Sequence, residues 1–229
     1  MAEHHGTGGH ALQGPARGPG AAQALAVGHP QGAGHHAHSE VGVTGIDNRK
    51  LGMWLFLASE CMFFGAFIVA YIAYQGKSLS GPTPEELLNI PLTSLSTFVL
   101  LMSSLAMVLA VQAAQQDRQA DARKWLLATA LLGLGFLSFQ AYEYTHFIHA
   151  GLTLSVNLFG TTFYTLTGLH GLHVTIGVGW LLALFLRSLK VGLGRAQALS
   201  LELAGLYWHF VDVVWIVIFT LVYLMSVLG

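Results

Sequence analysis

Residues 202–227 read ELAGLYWHFVDVVWIVIFTLVYLMSV. A helix needs roughly 20 predominantly apolar residues to cross a hydrocarbon core about 30 Å thick. This run is long enough, and beyond Glu202 only His209 and Asp212 interrupt it with groups that carry charge near neutral pH. Four runs of the same kind precede it, at about 51–74, 94–115, 125–145 and 160–187. The segments between them are short and hold chain breakers. Gly81-Pro82-Thr83-Pro84 and Pro91 follow the first run, the charged stretch from Asp117 to Lys124 follows the second, and Gly192 and Gly194 precede the fifth. The expected fold is an all-α membrane protein, an irregular bundle of five tilted transmembrane helices with neighbouring spans antiparallel.

Composition agrees with that reading. The chain is 54% apolar and 9% charged, against about 25% charged residues in a soluble domain. A net charge of −1 gives no basis for binding nucleic acid. Cys61 is the only cysteine, which excludes an internal disulfide, a thiolate metal cluster and a C-x-x-C-H haem attachment. Residues 1–46 are rich in Gly, Ala, His, Pro and Gln and have little to bury, so a disordered tail is expected ahead of a domain over 47–229. The tail lacks the basic-then-apolar order of a secretory signal. Its imidazoles are His4, His5, His10, His29, His35, His36 and His38. The group His35-His36-x-His38 could hold a divalent cation weakly, but a solvated tail with incidental histidines is the favoured reading.

The basic residues orient the bundle. If the spans alternate, Arg17, Arg49, Lys50, Arg118, Arg123, Lys124, Arg187, Lys190 and Arg195 share one side, and Lys77 alone falls on the other. The positive-inside rule then places the N-terminus in the cytoplasm and the C-terminus outside.

Titratable groups at membrane depth are expensive unless paired or neutralised. Glu60 lies in the first span, His170 and His173 in the fourth, and His209 and Asp212 in the fifth, all in the inner half or middle of the bilayer. Helical spacing puts Met53, Phe56, Glu60, Phe63, Phe67 and Tyr71 on one stripe of the first span, and His170, His173 and Gly177 on one face of the fourth. His209 and Asp212 share a face of the fifth. One polar seam between spans one, four and five is expected, with Gly168 and Gly171 allowing a close helix approach within it. Gln140 and Glu143, on span three, form a separate patch nearer the outer surface. For the histidines and Asp212 the favoured role is to bond neighbouring helices. Glu60 has no partner on its own helix and is a candidate for proton exchange.

Ligands for redox chemistry are few. His173 and His209 could serve as axial ligands of one haem, but no metal site is expected on this chain, and no P-loop, H-E-x-x-H or G-x-S-x-G motif occurs.

Three segments, in this order and separation, resemble subunit III of haem-copper oxidases: Ser59-Glu60-Cys61-Met62-Phe63-Phe64, Gly168-Leu169-His170-Gly171-Leu172-His173-Val174, and Tyr207-Trp208-His209-Phe210-Val211-Asp212-Val213-Val214-Trp215. Gln140-Ala141-x-Glu143-Tyr144 is similar to that family too, and the resemblance covers about 47–229. It implies a non-redox accessory subunit of a proton-pumping terminal oxidase in a bacterial plasma membrane. Its partners would be subunits I and II, which hold the haem and copper and pass electrons from cytochrome c to oxygen. It also implies phospholipid binding, with Arg187 at a basic position that takes a lipid phosphate, and Glu60 at the family's buried carboxylate. Larger members have seven helices, and their first two have no counterpart here. The lipid cleft formed against that pair would need a partner to complete it. A quinol oxidase subunit III, or a relative linked to nitric oxide reductase, is the alternative inside the family. A stand-alone proton channel built on Glu60 and the His-Asp seam, or a membrane cytochrome, is the alternative outside it.

Overall fold

The computed structural model describes residues 47–75, 77 and 89–225. The predicted tail over 1–46 lies outside them, as do Gly81-Pro82-Thr83-Pro84. Five helices are long and apolar enough to cross a membrane. They are α1 (Asn48–Tyr74), α2 (Ile90–Gln115), α3 (Gln119–His149), α4 (Leu158–Val191) and α5 (Ala198–Ile218). A 3-10 turn, Arg195–Gln197, leads into α5, and a π-helical stretch, Phe219–Leu224, continues it. Most helices overrun their apolar runs, because the helical hydrogen bonding continues into the polar flanks.

Polar caps start three of the helices. Asp47 accepts from the Arg49 N–H, Asn89 from Leu92 and Asn157 from Gly160, at 2.8, 3.2 and 2.6 Å. Each satisfies a backbone donor that the first turn leaves without a partner. Pro91 lies in the first turn of α2, where its missing N–H costs nothing. At the end of α2 the Arg118 N–H returns to the Ala113 carbonyl and the Asp117 N–H to that of Ala114. That is a Schellman turn, and it needs a left-handed residue, here Asp117 at φ 59°. The charged link between spans two and three is therefore a tight reversal.

The α2–α3 hairpin packs on one side of α4 and α5, and α1 packs on α4 and α5 from another. Helix α5 with its flanking turns, Arg195–Leu224, is the most enclosed, with 56% of its most apolar 18 residues buried, against 17% for α1. Trp208 explains how α5 fits so closely. Its ring is fully buried between Gly133 of α3 and Gly177 of α4, where an added Cβ would come within 2.6 and 2.9 Å of the indole. Small residues thus admit a large aromatic ring, the packing that holds helices together where lipid removes the hydrophobic driving force.

Helix α1 touches the bundle along Leu57, Phe64 and Tyr71. This differs from the predicted stripe by a small rotation. Met53, Phe67 and Tyr71 do face the core, but Phe56 and Phe63 are 43% and 41% exposed.

Candidate functional site

Helix α5 carries polar and aromatic groups along its length, and its neighbours answer them level by level. The structure resolves the single expected seam into separate clusters on two sides of α5.

The first cluster lies between α1, α4 and α5. His173 Nε2 is 3.3 Å from Glu60 Oε2, and His173 Nδ1 is 2.8 Å from the Leu169 carbonyl. A carbonyl only accepts, so Nδ1 must carry a hydrogen. The Nε2–Oε2 contact becomes an ion pair when the ring is protonated. Tyr207 donates to the His173 carbonyl at 3.0 Å and fixes α5 against this turn of α4. Phe64 packs edge-on against the imidazole at 5.0 Å. Glu60, without a partner on its own helix, finds one across the interface.

The second cluster lies between α2 and α5. Ser104 Oγ is 2.9 Å from His209 Nδ1 and also bonds Asp212 Oδ2. One hydroxyl has one proton, so Ser104 donates to one neighbour and accepts from the other. Asp212 is buried, and its Oδ1 has no hydrogen-bond partner among the described residues. His209 and Asp212 do share a face as expected, but that face meets α2 rather than α1 or α4.

His170 belongs to neither cluster. It is fully buried, stacked on Trp215 at 4.8 Å with Phe136 edge-on at 5.8 Å, and neither ring nitrogen has a hydrogen-bond partner among the described residues. Gly171 does not bring α4 towards α1 or α5 as expected. An added Cβ there would meet Gln140 of α3 at 2.6 Å.

Gln140 and Glu143 are both buried within the bundle. Gln140 donates to the Thr167 carbonyl at 2.9 Å and lies 3.3 Å from the Tyr144 hydroxyl. Glu143 accepts from Thr93 of α2 and from Tyr223 in the π-helical stretch. Arg187 is exposed on α4 near its end.

Sequence reasoning missed the hydroxyl groups of α2. Thr97 accepts from the Trp215 indole and Ser103 from the Trp208 indole, both at 2.9 Å, and Ser104 and Thr93 join the buried acids. Their recurrence along one apolar helix was the available signal. At the end of the bundle bearing Arg118 and Arg195, Lys50 pairs with Glu202 at 2.5 Å, and Gln115 donates to Glu202 at 2.7 Å. A groove of about 590 Å³ starts at this trio and runs between α1, α2 and α5 to His209.

Comparison with known proteins finds similar chains. Residues 31–227 match the family described as cytochrome c oxidase subunit III. The chain is 41% identical over 182 residues to "Cytochrome c oxidase subunit 3" of Bacillus sp. (strain PS3), covering 80% of this chain and 88% of that one. It is 39% identical over 194 residues to the protein of the same name from Alkalihalophilus pseudofirmus, covering 84% and 94%. "Quinol oxidase subunit 3" of Bacillus spizizenii is 37% identical over 179 residues, covering 78% and 88%.

Proposed function

This chain belongs to the cytochrome c oxidase subunit III family, and from that premise we propose how its clusters and outer faces serve the enzyme. The chain is subunit III of a haem-copper oxidase and an integral protein of a bacterial plasma membrane. A third subunit of this family has no catalytic centre of its own. Among the described residues, no group of three or more His, Cys, Asp or Glu could hold a metal ion.

In our reading the haem and copper reside in subunits I and II, and this chain stabilises subunit I from one side. The support is the outward surface. Trp54, Leu55, Met62 and Val69 on α1, and Leu95, Phe98 and Leu105 on α2, are more than half exposed. Such faces suit lipid tails or a neighbouring transmembrane subunit. The end bearing Lys50, Arg118, Arg187 and Arg195 faces the cytoplasm. Arg187, exposed there, takes a phospholipid phosphate, as a juxtamembrane guanidinium can. The Glu60–His173 pair supports proton uptake, because it sets a carboxyl oxygen against an imidazole nitrogen at 3.3 Å inside the span. Cytochrome c is the electron donor, since the relatives of higher identity carry that name; quinol is the alternative, carried by the relatives just below them.

The observation that carries this reading is the family match over residues 31–227, which contain the five-helix bundle. Purification from the native membrane in mild detergent tests it. Subunits I and II should travel with the chain and give a haem spectrum, and a two-cysteine copper site in subunit II would identify cytochrome c as the donor. A lone colourless chain would overturn the assembly in favour of a proton channel, and a lone coloured one would favour a membrane cytochrome.

A further inference from the structure

Polar groups recur at the α2–α5 interface from its basic end inward. Glu202 bonds Lys50 and Gln115 at the rim. Gln112 lines the groove one turn deeper, and His209 lies at the groove's inner end. Beyond it Ser104 links His209 to Asp212, whose Oδ1 has no partner among the described residues. No lysine or arginine pairs with Asp212 among the described residues. A carboxylate in such a place, with one oxygen unsatisfied, costs several kcal/mol, whereas the neutral acid removes the charge and gives Ser104 a donor.

We propose that Asp212 stores a proton inside the membrane span and exchanges it with the basic face of the subunit through Ser104, His209 and the groove between α1, α2 and α5. In the resting arrangement Asp212 Oδ2 donates to Ser104 Oγ, and Ser104 donates to His209 Nδ1. Release is a concerted shift. The acid's proton passes to Ser104 Oγ while the hydroxyl proton passes to His209 Nδ1, leaving a carboxylate and an imidazolium. The imidazolium then gives its Nε2 proton to water in the groove. Uptake is the reverse, with a proton entering at Nε2 and one leaving Nδ1. The other titratable groups near α5 lie off this wire: His170 stacks on Trp215, and Glu143 bonds Thr93 and Tyr223. The Glu60–His173 pair is held by α1 and α4, and Tyr207 bonds the His173 carbonyl there. Ser104 is a positioning and relay residue in this scheme, and Asp212 is the store. The oxidase reading supplies only the source and use of the proton. Co-purification tests that reading, and proton exchange at Asp212 tests this one.

The experiment is infrared spectroscopy on the intact oxidase complex, comparing wild type with Asp212→Asn and Asp212→Glu. The carbonyl stretch of a neutral carboxylic acid should be present in wild type, absent in the asparagine variant and displaced in the glutamate variant. The glutamate variant keeps the assignment open to test if the asparagine variant fails to assemble. On transfer to deuterium oxide the wild-type band should shift promptly, and in Ser104→Ala it should shift at least about tenfold more slowly. His209→Phe should slow it similarly. Failure of either Asp212 variant to alter a protonated-acid band would show that the group is ionised and overturn the store. Unchanged exchange in Ser104→Ala and His209→Phe would overturn the route.

Discussion

Trp208 shows how much one residue can demand of its surroundings. Its ring fills the space above Gly133 and Gly177, and its N–H reaches Ser103. An alanine at 133 would place a methyl 2.6 Å from the indole and 2.9 Å from Val178, neither of which has room to retreat in a buried layer. Gly133→Ala should destabilise the subunit by about 1–3 kcal/mol, the usual cost of overpacking. Gly65→Ala, which meets nothing within 4 Å, should stay within about 0.5 kcal/mol. Thermal unfolding of the purified complex in detergent compares them directly, and equal losses would remove the packing argument. The Glu60–His173 contact is a second test at this scale. Its two side chains are only 18% and 14% exposed, so solvent screens the pair weakly. A double-mutant cycle with Glu60→Gln and His173→Phe should give a coupling of about 0.5–2 kcal/mol. Additive effects would mean that the two side chains are neighbours without interacting.

Among the helices, α1 and α5 are opposites. Helix α5 presents Trp208, Asp212 and Trp215 to α2 and Tyr207 to α4, and it buries residues on most of its circumference. Helix α1 is held by a narrow line of Leu57, Phe64 and Tyr71, together with the Glu60 contact. Opening free energy follows buried contacts. Amide hydrogen exchange of the purified chain in detergent should therefore protect α1 least and α5 most, and the reverse order would contradict the contact pattern. The five spans were legible in the sequence because a long apolar run has few alternatives. The rotation of α1 was not, because both sides of that helix are apolar and the bilayer accepts either. The second polar cluster was half legible. His209 and Asp212 announced themselves, but the hydroxyls that receive them did not. Thr97 also bonds a carbonyl of its own helix, so such a residue looks self-sufficient until a partner helix is placed. Gly171 was recognised as a close approach, but the sequence alone could not say that Gln140 of α3, rather than α1 or α5, would occupy the space.

At the scale of the molecule, charge asymmetry decides which way the bundle faces. The turn between α2 and α3 and the turn between α4 and α5 lie at the same end, where the Arg195 N–H is 3.4 Å from Asp117 and Gly194 leaves room for the same carboxylate. Lys50 belongs to that end through Glu202. The opposite end holds the link between α3 and α4, in which Leu154 and Val156 are exposed. Cytoplasmic loops gather lysine and arginine, so the Asp117 end should be internal. The native chain suits a labelling test because its one cysteine, Cys61, lies within α1 and can be replaced by serine. In that background a cysteine at Gln116 should resist a membrane-impermeant maleimide in intact cells and react once the membrane is opened. A cysteine at Leu154 should react at once. Reaction of Gln116→Cys in intact cells would invert the bundle and put the mouth of the α1–α2–α5 groove on the outer face, where it could not draw protons from the cytoplasm. The direction of the proposed Asp212 route therefore depends on this result, whereas the existence of the Ser104 link does not.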